Sequence, residues 1–448
     1  MSPRVWRMVN WCLEKLINQE TEKVTDSAMS EKRLPRTGWI TEPDITRVMQ
    51  ALLAGDGVTA RYVGGVVRDT LRGALRFGDR PDIDIATTAI PEKVVELLET
   101  AGLKAVPTGL QHGTVTAVSN HRPVEITTLR HDVTTDGRRA EVAFTQDWAA
   151  DAARRDFTMN AIYADPDGVL FDPLGGITDL EAGRVRFVGS ADARIKEDYL
   201  RILRFFRFHA WCGQGEMDPE GLQACRRNLD GLARLSAERV SHELLKLLAA
   251  EAPLPALRQM AAAGVLDAVL PEAKDFDRLE ALVDNDAQHF FDPDPLLRLG
   301  ALLPDDGETA TALAARLRLS NAQRDRLVNM LKARLRVFCY MSVREMRRTA
   351  YRLTPEVMHD VAMLRWAEDP KRQHNAVQWR ALLPMIKNWK LPKMPLTGHQ
   401  VHLAGVPNGP QIGRVMQELE EWWIDADFTS DEYSLIERLK AVVQATIY

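Results

Sequence analysis

Hydrophobic and polar positions alternate in two different rhythms along the chain. Between residues 41 and 190, short β-type runs, each bounded by turn residues, alternate with helical periods: Ala60–Val63, Ile83–Ala86, Thr114–Val118, Val124–Leu129 and Ala161–Tyr163. From about residue 191 the strand signal almost vanishes, and apolar positions recur at helical spacing, as in Leu232–Leu248, Leu254–Leu266, Thr309–Leu317 and Ala322–Val337. The pattern predicts an α+β head, a mixed sheet with helices, followed by an all-α remainder. No repeat of fixed period is evident. The first forty residues differ again. An amphipathic stretch (Val5, Met8, Val9, Cys12, Leu13, Leu16) runs into a polar segment ending at Leu34-Pro35. Residues 1–40 read as a loose, disordered extension, with Met29 as the favoured start. They lack a secretory core and cleavage site; a mitochondrial presequence is the alternative reading, weakened by the acidic Glu14, Glu20 and Glu22.

A chain of 448 residues exceeds one compact core and implies two to four domains. No apolar run approaches the length of a membrane span. The four cysteines, Cys12, Cys212, Cys225 and Cys339, have no metal-type spacing and read as reduced thiols of a cytoplasmic protein. The net charge of -5 does not announce a nucleic-acid partner, so any RNA-binding charge must be local.

Such charge is found between Ser320 and Arg352. There Arg324, Arg326, Lys332, Arg334, Arg336, Arg344, Arg347, Arg348 and Arg352 are opposed in sequence only by Asp325 and Glu345, which suits phosphate contact. The bland alternative is a solvated helical face. A Gly/Pro-rich "GVPNGPQIG" leading into a helix is a second candidate phosphate contact. His359-Asp360 has no supporting cluster and reads as helix surface.

The densest chemistry lies in "YVGGVVRDTLRGALRFGDRPDIDIAT" (62–87). Gly64-Gly65 predicts a tight turn from a strand into a helix, bringing bare backbone and a helix N-terminus to a phosphate, with Arg68 one turn in as a bidentate guanidinium. Asp82 and Asp84, at i and i+2 of a strand over Asp82–Ala86, face one way and suit Mg²⁺. Alone, each half could be an ordinary turn or an acidic edge; in this order, one helix apart, they point to one site.

"GGVVRD…DIDIA" resembles the signature of the class II nucleotidyltransferases, which comprise the CCA-adding tRNA nucleotidyltransferases and bacterial poly(A) polymerases. The resemblance continues through "RRDFTMNAIY" (154–163), "DPLGG" (172–176), "EDYLRILRFFRF" (197–208) and "SAERVSHELLKLL" (236–248), and reaches "PLTGHQVHLAGVPNGPQIG" (395–413). It implies a nucleotidyltransferase head (41–190), a helical neck that recognises the base (191–255), a helical body (256–340) and a helical tail (341–448), the last two binding RNA.

It also implies roles. Asp82 and Asp84 would be catalytic and hold the metal. Glu125, on "VEITTLR", is either a third carboxylate or a strand-edge charge. Gly64, Gly65, Arg68, Arg155, Asp156 and Asn160 would bind the nucleotide, with "RRDFTMN" selecting ribose; the plain alternative is a salt-bridged turn. "DPLGG" reads as a strand-to-helix turn and, by resemblance, as the hinge between head and neck. "EDYLRILRFFRF" predicts one helix with Asp198, Arg201 and Arg204 on one face and Leu200, Leu203 and Phe206 buried. An Asp/Arg pair can accept cytosine and adenine, which both present an exocyclic amine beside a ring acceptor, and reject uracil and guanine, which present the reverse. By resemblance Asp198 and Arg201 read the base, Glu197 orients Arg201, and Arg204 and Arg207 meet phosphates or hold the helix.

"PTGLQHGTVTAV" (107–118) favours the CCA-adding branch. "LRHDVTTDGRRAEVAFT" (129–145) has the polar, Gly-containing composition of a mobile loop and resembles the one that the family's full CCA-adding enzymes need for the switch from C to A. Arg334, Arg336, Arg344, Arg347 and Arg348 are the candidate RNA contacts. The expected activity is addition of C, C and A to tRNA 3′ ends from CTP and ATP, with Mg²⁺ as cofactor, by a monomer or homodimer with no membrane contact that meets the tRNA acceptor and T arm. The alternatives are a poly(A) polymerase, an enzyme adding only A, or a non-catalytic RNA-binding protein.

Overall fold

A computed structural model describes residues 32–35, 38–75, 78–136, 139–333 and 337–447, with backbone alone at 111, 132–142 and 445–447. The chain divides into two compact units, one up to Pro271 and one from Glu272.

The first unit is built on strands β1 (Ala60–Val63), β2 (Asp84–Thr87), β3 (Lys104–Gly109), β4 (Thr114–Ser119), β5 (Arg122–Thr128), β6 (Arg130–Asp136), β7 (Arg139–Phe144), β8 (Tyr163–Ala164) and β9 (Leu170–Phe171). Seven of them form one sheet in the order β3-β4-β5-β2-β1-β8-β9. Only β2 and β5 run parallel; the other neighbours are antiparallel, so the sheet is mixed, as the sequence predicts. Helices α1 (Pro43–Leu53) and α3 (Pro91–Thr100) pack on it and bury Ile45, Val48, Leu52, Val94 and Leu98. Between β1 and β2 lies α2 (Gly65–Leu71), and α4 (Trp148–Ala153) precedes β8.

The sheet runs into helices α5 (Gly176–Glu181), α6 (Ala191–Glu197), α7 (Leu200–Cys212), α8 (Pro219–Arg227), α9 (Ala237–Leu248), α10 (Leu254–Ala262) and α11 (Val265–Val269). The second unit holds ten helices among its described residues: α12 (Phe276–His289), α13 (Pro295–Leu302), α14 (Gly307–Arg316), α15 (Asn321–Lys332), α16 (Val343–Leu353), α17 (Pro355–Glu368), α18 (Ala376–Asn388), α19 (Gly398–Leu403), α20 (Pro410–Asp425) and α21 (Glu432–Ile447). Ser320 and Ser342 start α15 and α16 with reciprocal capping boxes to Gln323 and Glu345. No helix among the described residues is long and apolar enough to cross a membrane.

Four expectations change. The segment read as a polar loop is a β-hairpin, β6 paired with β7 from Arg130↔Phe144 to Asp136↔Arg139. Val133, Thr134 and Thr135 favour extended backbone, and Gly137 and Arg138 lie outside the described residues. The extension is not loose throughout. Residues 1–31 lie outside the described part, but Leu34 N–H bonds Gly168 O at 2.8 Å, and Trp39 is buried with its indole N–H on Thr70 Oγ1 at 3.0 Å. "EDYLRILRFFRF" breaks at Asp198 (φ −153°, ψ 106°), between α6 and α7. Asp198 Oδ1 accepts the Leu200 N–H at 3.1 Å, the local competition by which a short acid ends one helix and starts the next. Tyr199 locks this corner against Gly231, where a Cβ would lie 1.8 Å from the Tyr199 ring. Finally, Asp360 is buried rather than at a helix surface and takes the Arg326 guanidinium at 2.7 and 2.8 Å.

Candidate active site

Register places the acidic residues in one row across the sheet. Glu125 pairs with Asp84, Asp84 with Val63, and Val63 with Tyr163. Directly paired residues share a face, so Glu125, Asp84 and Tyr163 look the same way. Asp82 lies two residues before β2's first residue rather than inside the strand. The alternation persists nevertheless: Asp82 is exposed and Asp84 half-buried, while Ile83 and Ile85 are buried. Gly64 arches over this row at φ +77°, where a side chain is strained, and a Cβ there would lie 3.2 Å from Asp84 Oδ2. Burial, Glu125 and Asp82 push the Asp84 carboxyl up to about 6, against the opposing pull of Arg155.

A bound cation would relieve that crowding of carboxylates. Among the described residues no three His, Cys, Asp or Glu side chains converge as a ready metal cage. A two-carboxylate donor set with hard oxygens fits an ion that takes its other ligands from phosphate and water. Asp82 and Asp84 would hold it, with Glu125 alongside.

One turn after Gly64 a hydrogen-bonded chain begins that reaches α7. Arg68 spends its bidentate edge on Asp69 (Nε–Oδ1 2.9 Å, Nη2–Oδ2 2.8 Å) and donates Nη1 to Asn160 Oδ1 at 2.7 Å. This corrects the expectation of a guanidinium open to phosphate: with an adjacent acid on the same turn, Arg68 braces the site. Asn160 Nδ2 donates to Asp156 Oδ1 at 3.0 Å, and Arg204 grips Asp156 Oδ2 through Nε at 2.8 Å and through Nη2. Burial raises the Asp156 carboxyl, but Arg204 and Asn160 outweigh it and hold the group below its ordinary range. Arg207 pairs with Glu243 Oε2 of α9. Arg204 and Arg207 thus both carry acid partners from outside α7.

The Phe208 ring is a shared platform. The guanidinium carbons of Arg207, Arg68 and Arg204 lie 4.0, 4.9 and 5.3 Å from its centroid. Phe208, Asp69, Asp151, Tyr163 and Glu243 were not among the residues singled out from the sequence. Only Asp69, adjacent to Arg68, carried a local signal.

At the break before α7, Glu197 Oε2 accepts from both Arg194 (3.0 Å) and Arg201, and Arg201 Nη1 also reaches Arg194 O at 2.8 Å. Arg201 is therefore anchored by one amine. Arg239 of α9 donates to Asp198 Oδ2 at 2.6 Å. Leu200, Leu203 and Phe206 are buried as expected.

The premise that the basic patch lacks opposing acids is corrected by long-range partners. Arg334 and Arg336 lie outside the described residues. Arg344 donates to the Asp425 carbonyl and Arg348 to its carboxylate, Arg347 to Asp427 Oδ2 at 2.7 Å, and Arg352 to Glu421 Oε2 at 2.6 Å. These arginines form a ladder between α16 and the C-terminal turns of α20, where cations also suit the helix dipole. Reversing Arg344, Arg347 and Arg348 to Glu together is expected to lower the melting temperature of the second unit by roughly 3–10 °C. Each exposed pair contributes about 0.2–1 kcal/mol, and reversal adds repulsion; a kcal/mol moves Tm by about 2–4 °C at this size. A thermal melt decides it: an unchanged melt with a raised KM for tRNA would return these residues to the RNA.

Comparison with known proteins follows from this geometry. The Poly A polymerase head domain matches residues 60–186, and the "Probable RNA and SrmB- binding site of polymerase A" matches residues 216–277, not the arginine ladder. The CCA tRNA nucleotidyltransferase 1, mitochondrial, of Mus musculus is 34% identical over 87% of this chain and 88% of its own. The chain belongs to the class II CCA-adding nucleotidyltransferase family. The Bacillus stearothermophilus CCA-adding enzyme, solved in complex with CTP, superposes with a TM-score of 0.68 at 24% identity over 90% of this chain and 99% of that one. The Thermotoga maritima CCA-adding enzyme, complexed with tRNA_CCA, gives 0.60 at 22% identity over 92% and 100%. Both share the fold of a nucleotidyltransferase head followed by helices, and the chain is an enzyme of that class.

Proposed function

We propose that this nucleotidyltransferase adds C, C and A to the 3′ end of tRNA from CTP and ATP without a nucleic-acid template, releasing pyrophosphate. The observation that carries the reading is a path within one compact unit. Its hydrogen-bonded part is Arg68, Asn160, Asp156 and Arg204; it starts one turn after Gly64, which lies over Asp84, and ends on α7, the helix that follows the break at Asp198 and carries Arg201. Phosphate chemistry and base reading are thereby braced against each other.

Asp198 would accept from the amine of cytosine or adenine, and Arg201, held by Glu197, would donate to the adjacent ring nitrogen. Uracil and guanine would set donor against donor and acceptor against acceptor, leaving buried polar groups unmatched. Asp156 and Asn160 would meet the ribose hydroxyls, and Arg155 a phosphate oxygen. Mg²⁺ bound at Asp82 and Asp84 would activate the attacking 3′ hydroxyl and stabilise the leaving pyrophosphate. The β6-β7 hairpin supports the final A over CC addition alone. The buried thiols Cys212, Cys225 and Cys339 support a cytoplasmic setting, although the mouse relative is named as mitochondrial.

Sequencing the products after incubation with tRNA lacking CCA, with tRNA ending in CC, and with an unrelated RNA tests the reading. Completed CCA on the first two and nothing on the third is expected. A homopolymeric A tail on any RNA would make this a poly(A) polymerase, and A added only to the CC end an A-adding enzyme.

A further inference from the structure

We propose that Asp151 and Tyr163 are positioning residues for nucleotide addition: together they hold the Arg155 guanidinium beside the acidic row, ready for the triphosphate. The proposal rests on the nucleotidyltransferase reading above.

Asp151, on α4, is 1% exposed. Its Oδ1 accepts from Arg154 Nε (2.8 Å), Arg154 Nη2 (2.6 Å) and the Arg130 backbone N–H (3.3 Å). Its Oδ2 accepts from Arg155 Nη2 (3.1 Å) and the Tyr163 hydroxyl (2.7 Å). Five donors on a group with about four lone-pair sites leave no capacity for a ligand, so Asp151 acts only through what it holds.

What it holds is Arg155. Nη2 is on Asp151, Nε is on the Tyr163 hydroxyl at 3.1 Å, and the guanidinium carbon lies 5.2 Å from the Tyr163 ring centroid. Nη1 makes only a 3.5 Å contact with the Asn160 carbonyl, so this one amine is the edge turned to a substrate. The anchor is aligned with the chemistry by register: Tyr163 pairs with Val63, which pairs with Asp84, so the Tyr163 backbone lies two strand spacings, about 9.5 Å, from that of Asp84 and on the same face. A buried ion cluster is a poor source of stability compared with apolar packing; its value here is the fixed orientation of one cation. Asp151 also takes the first N–H of β6, which roots the hairpin on the same carboxylate.

The test uses the full-length chain with Tyr163→Phe and Asp151→Asn, each alone and combined with Arg155→Ala. Equilibrium binding of CTP and steady-state KM for CTP on tRNA lacking CCA are measured beside the melting temperature. Tyr163→Phe removes one hydroxyl and keeps the ring; it is expected to weaken CTP binding and raise KM by about tenfold or more, the effect of one lost hydrogen bond to a charged group. Asp151→Asn is expected to have a larger effect. In the Arg155→Ala background, Tyr163→Phe should change CTP affinity less than about twofold, because the group it positions is gone.

The proposal is overturned if Tyr163→Phe keeps its full effect without Arg155. It is also overturned if Tyr163→Phe alters only melting temperature, or if Arg155→Ala leaves CTP affinity at the wild-type value. Failure of the wild-type chain to add C to tRNA would instead overturn the functional reading, and the CTP-binding cycle would still decide the proposal.

Discussion

Asp84→Ala is expected to lower nucleotide incorporation by about three orders of magnitude or more while leaving tRNA affinity within about twofold. Metal-assisted charge stabilisation contributes several kcal/mol, and each 1.36 kcal/mol is a factor of ten in rate. An anionic carboxylate makes no favourable contact with an RNA phosphate backbone, so removing it should leave binding intact. Asp82→Ala should act in the same direction. A readout independent of turnover is Asp84→Asn. The folded-state value of about 6 stands above the ordinary 3.8. A carboxyl raised on folding binds more protons when folded, so its contribution falls as pH climbs from about 4 to 6 and is a constant deficit above that. Removing the charge should therefore stabilise the metal-free chain at pH 7 by about 1–3 kcal/mol, the rise from 3.8 to about 6 being worth at most about 3 kcal/mol. The gain should vanish near pH 4. A destabilised Asp84→Asn protein that retained turnover with Mg²⁺ would make Asp84 a structural residue.

Asp198→Asn is expected to raise UTP use relative to CTP by about tenfold and to cut kcat/KM for CTP by about ten- to a hundredfold. The ratio moves because an amide can donate to uracil O4, which repairs one of two buried mismatches worth about 1–3 kcal/mol each. Arg201, anchored to Glu197, still opposes the uracil N3–H, so the switch is partial. The loss of overall activity follows from the corner before α7. Both Asp198 oxygens accept in place, one from Leu200 N–H and one from Arg239. An Asn can satisfy only one of these and turns its NH₂ on the other donor. Kinetics with all four nucleotides on tRNA lacking CCA separate the effects. Equal loss for all four would show that Asp198 shapes the corner and reads nothing.

The parts legible in the sequence were those whose cause is local. Gly64-Gly65 between an apolar strand and a helix announces its own turn, and the alternation Asp82, Ile83, Asp84, Ile85 announces which side faces out. Leu200, Leu203 and Phe206 fall on a buried face because three-residue spacing fixes it. The break at Asp198 was hidden because the same spacing runs through it without interruption; only the short acid, able to bond the N–H two residues on, hints at it. Glu125 could be placed within reach of Asp84 but not in register with it, since parallel pairing of β2 with β5 is decided by the whole sheet. The arginines of α16 looked unopposed because their partners, Asp425, Asp427 and Glu421, lie some seventy to eighty residues later in the chain. Charge counted in a window cannot see acids delivered by another helix.

The Phe208 platform bears on how this chain could be recombined with its relatives. Arg68 comes to the ring from the glycine turn, Arg204 and Arg207 from α7, and Glu243, which secures Arg207, from α9. A chimaera joined near residue 190 would import a foreign glycine turn onto a resident ring and set three cations around it without the geometry that makes them compatible. The crossover that keeps ring, cations and counter-acid from one parent lies after Leu248, so the glycine turn and the helices through α9 are inherited together as one exchangeable block.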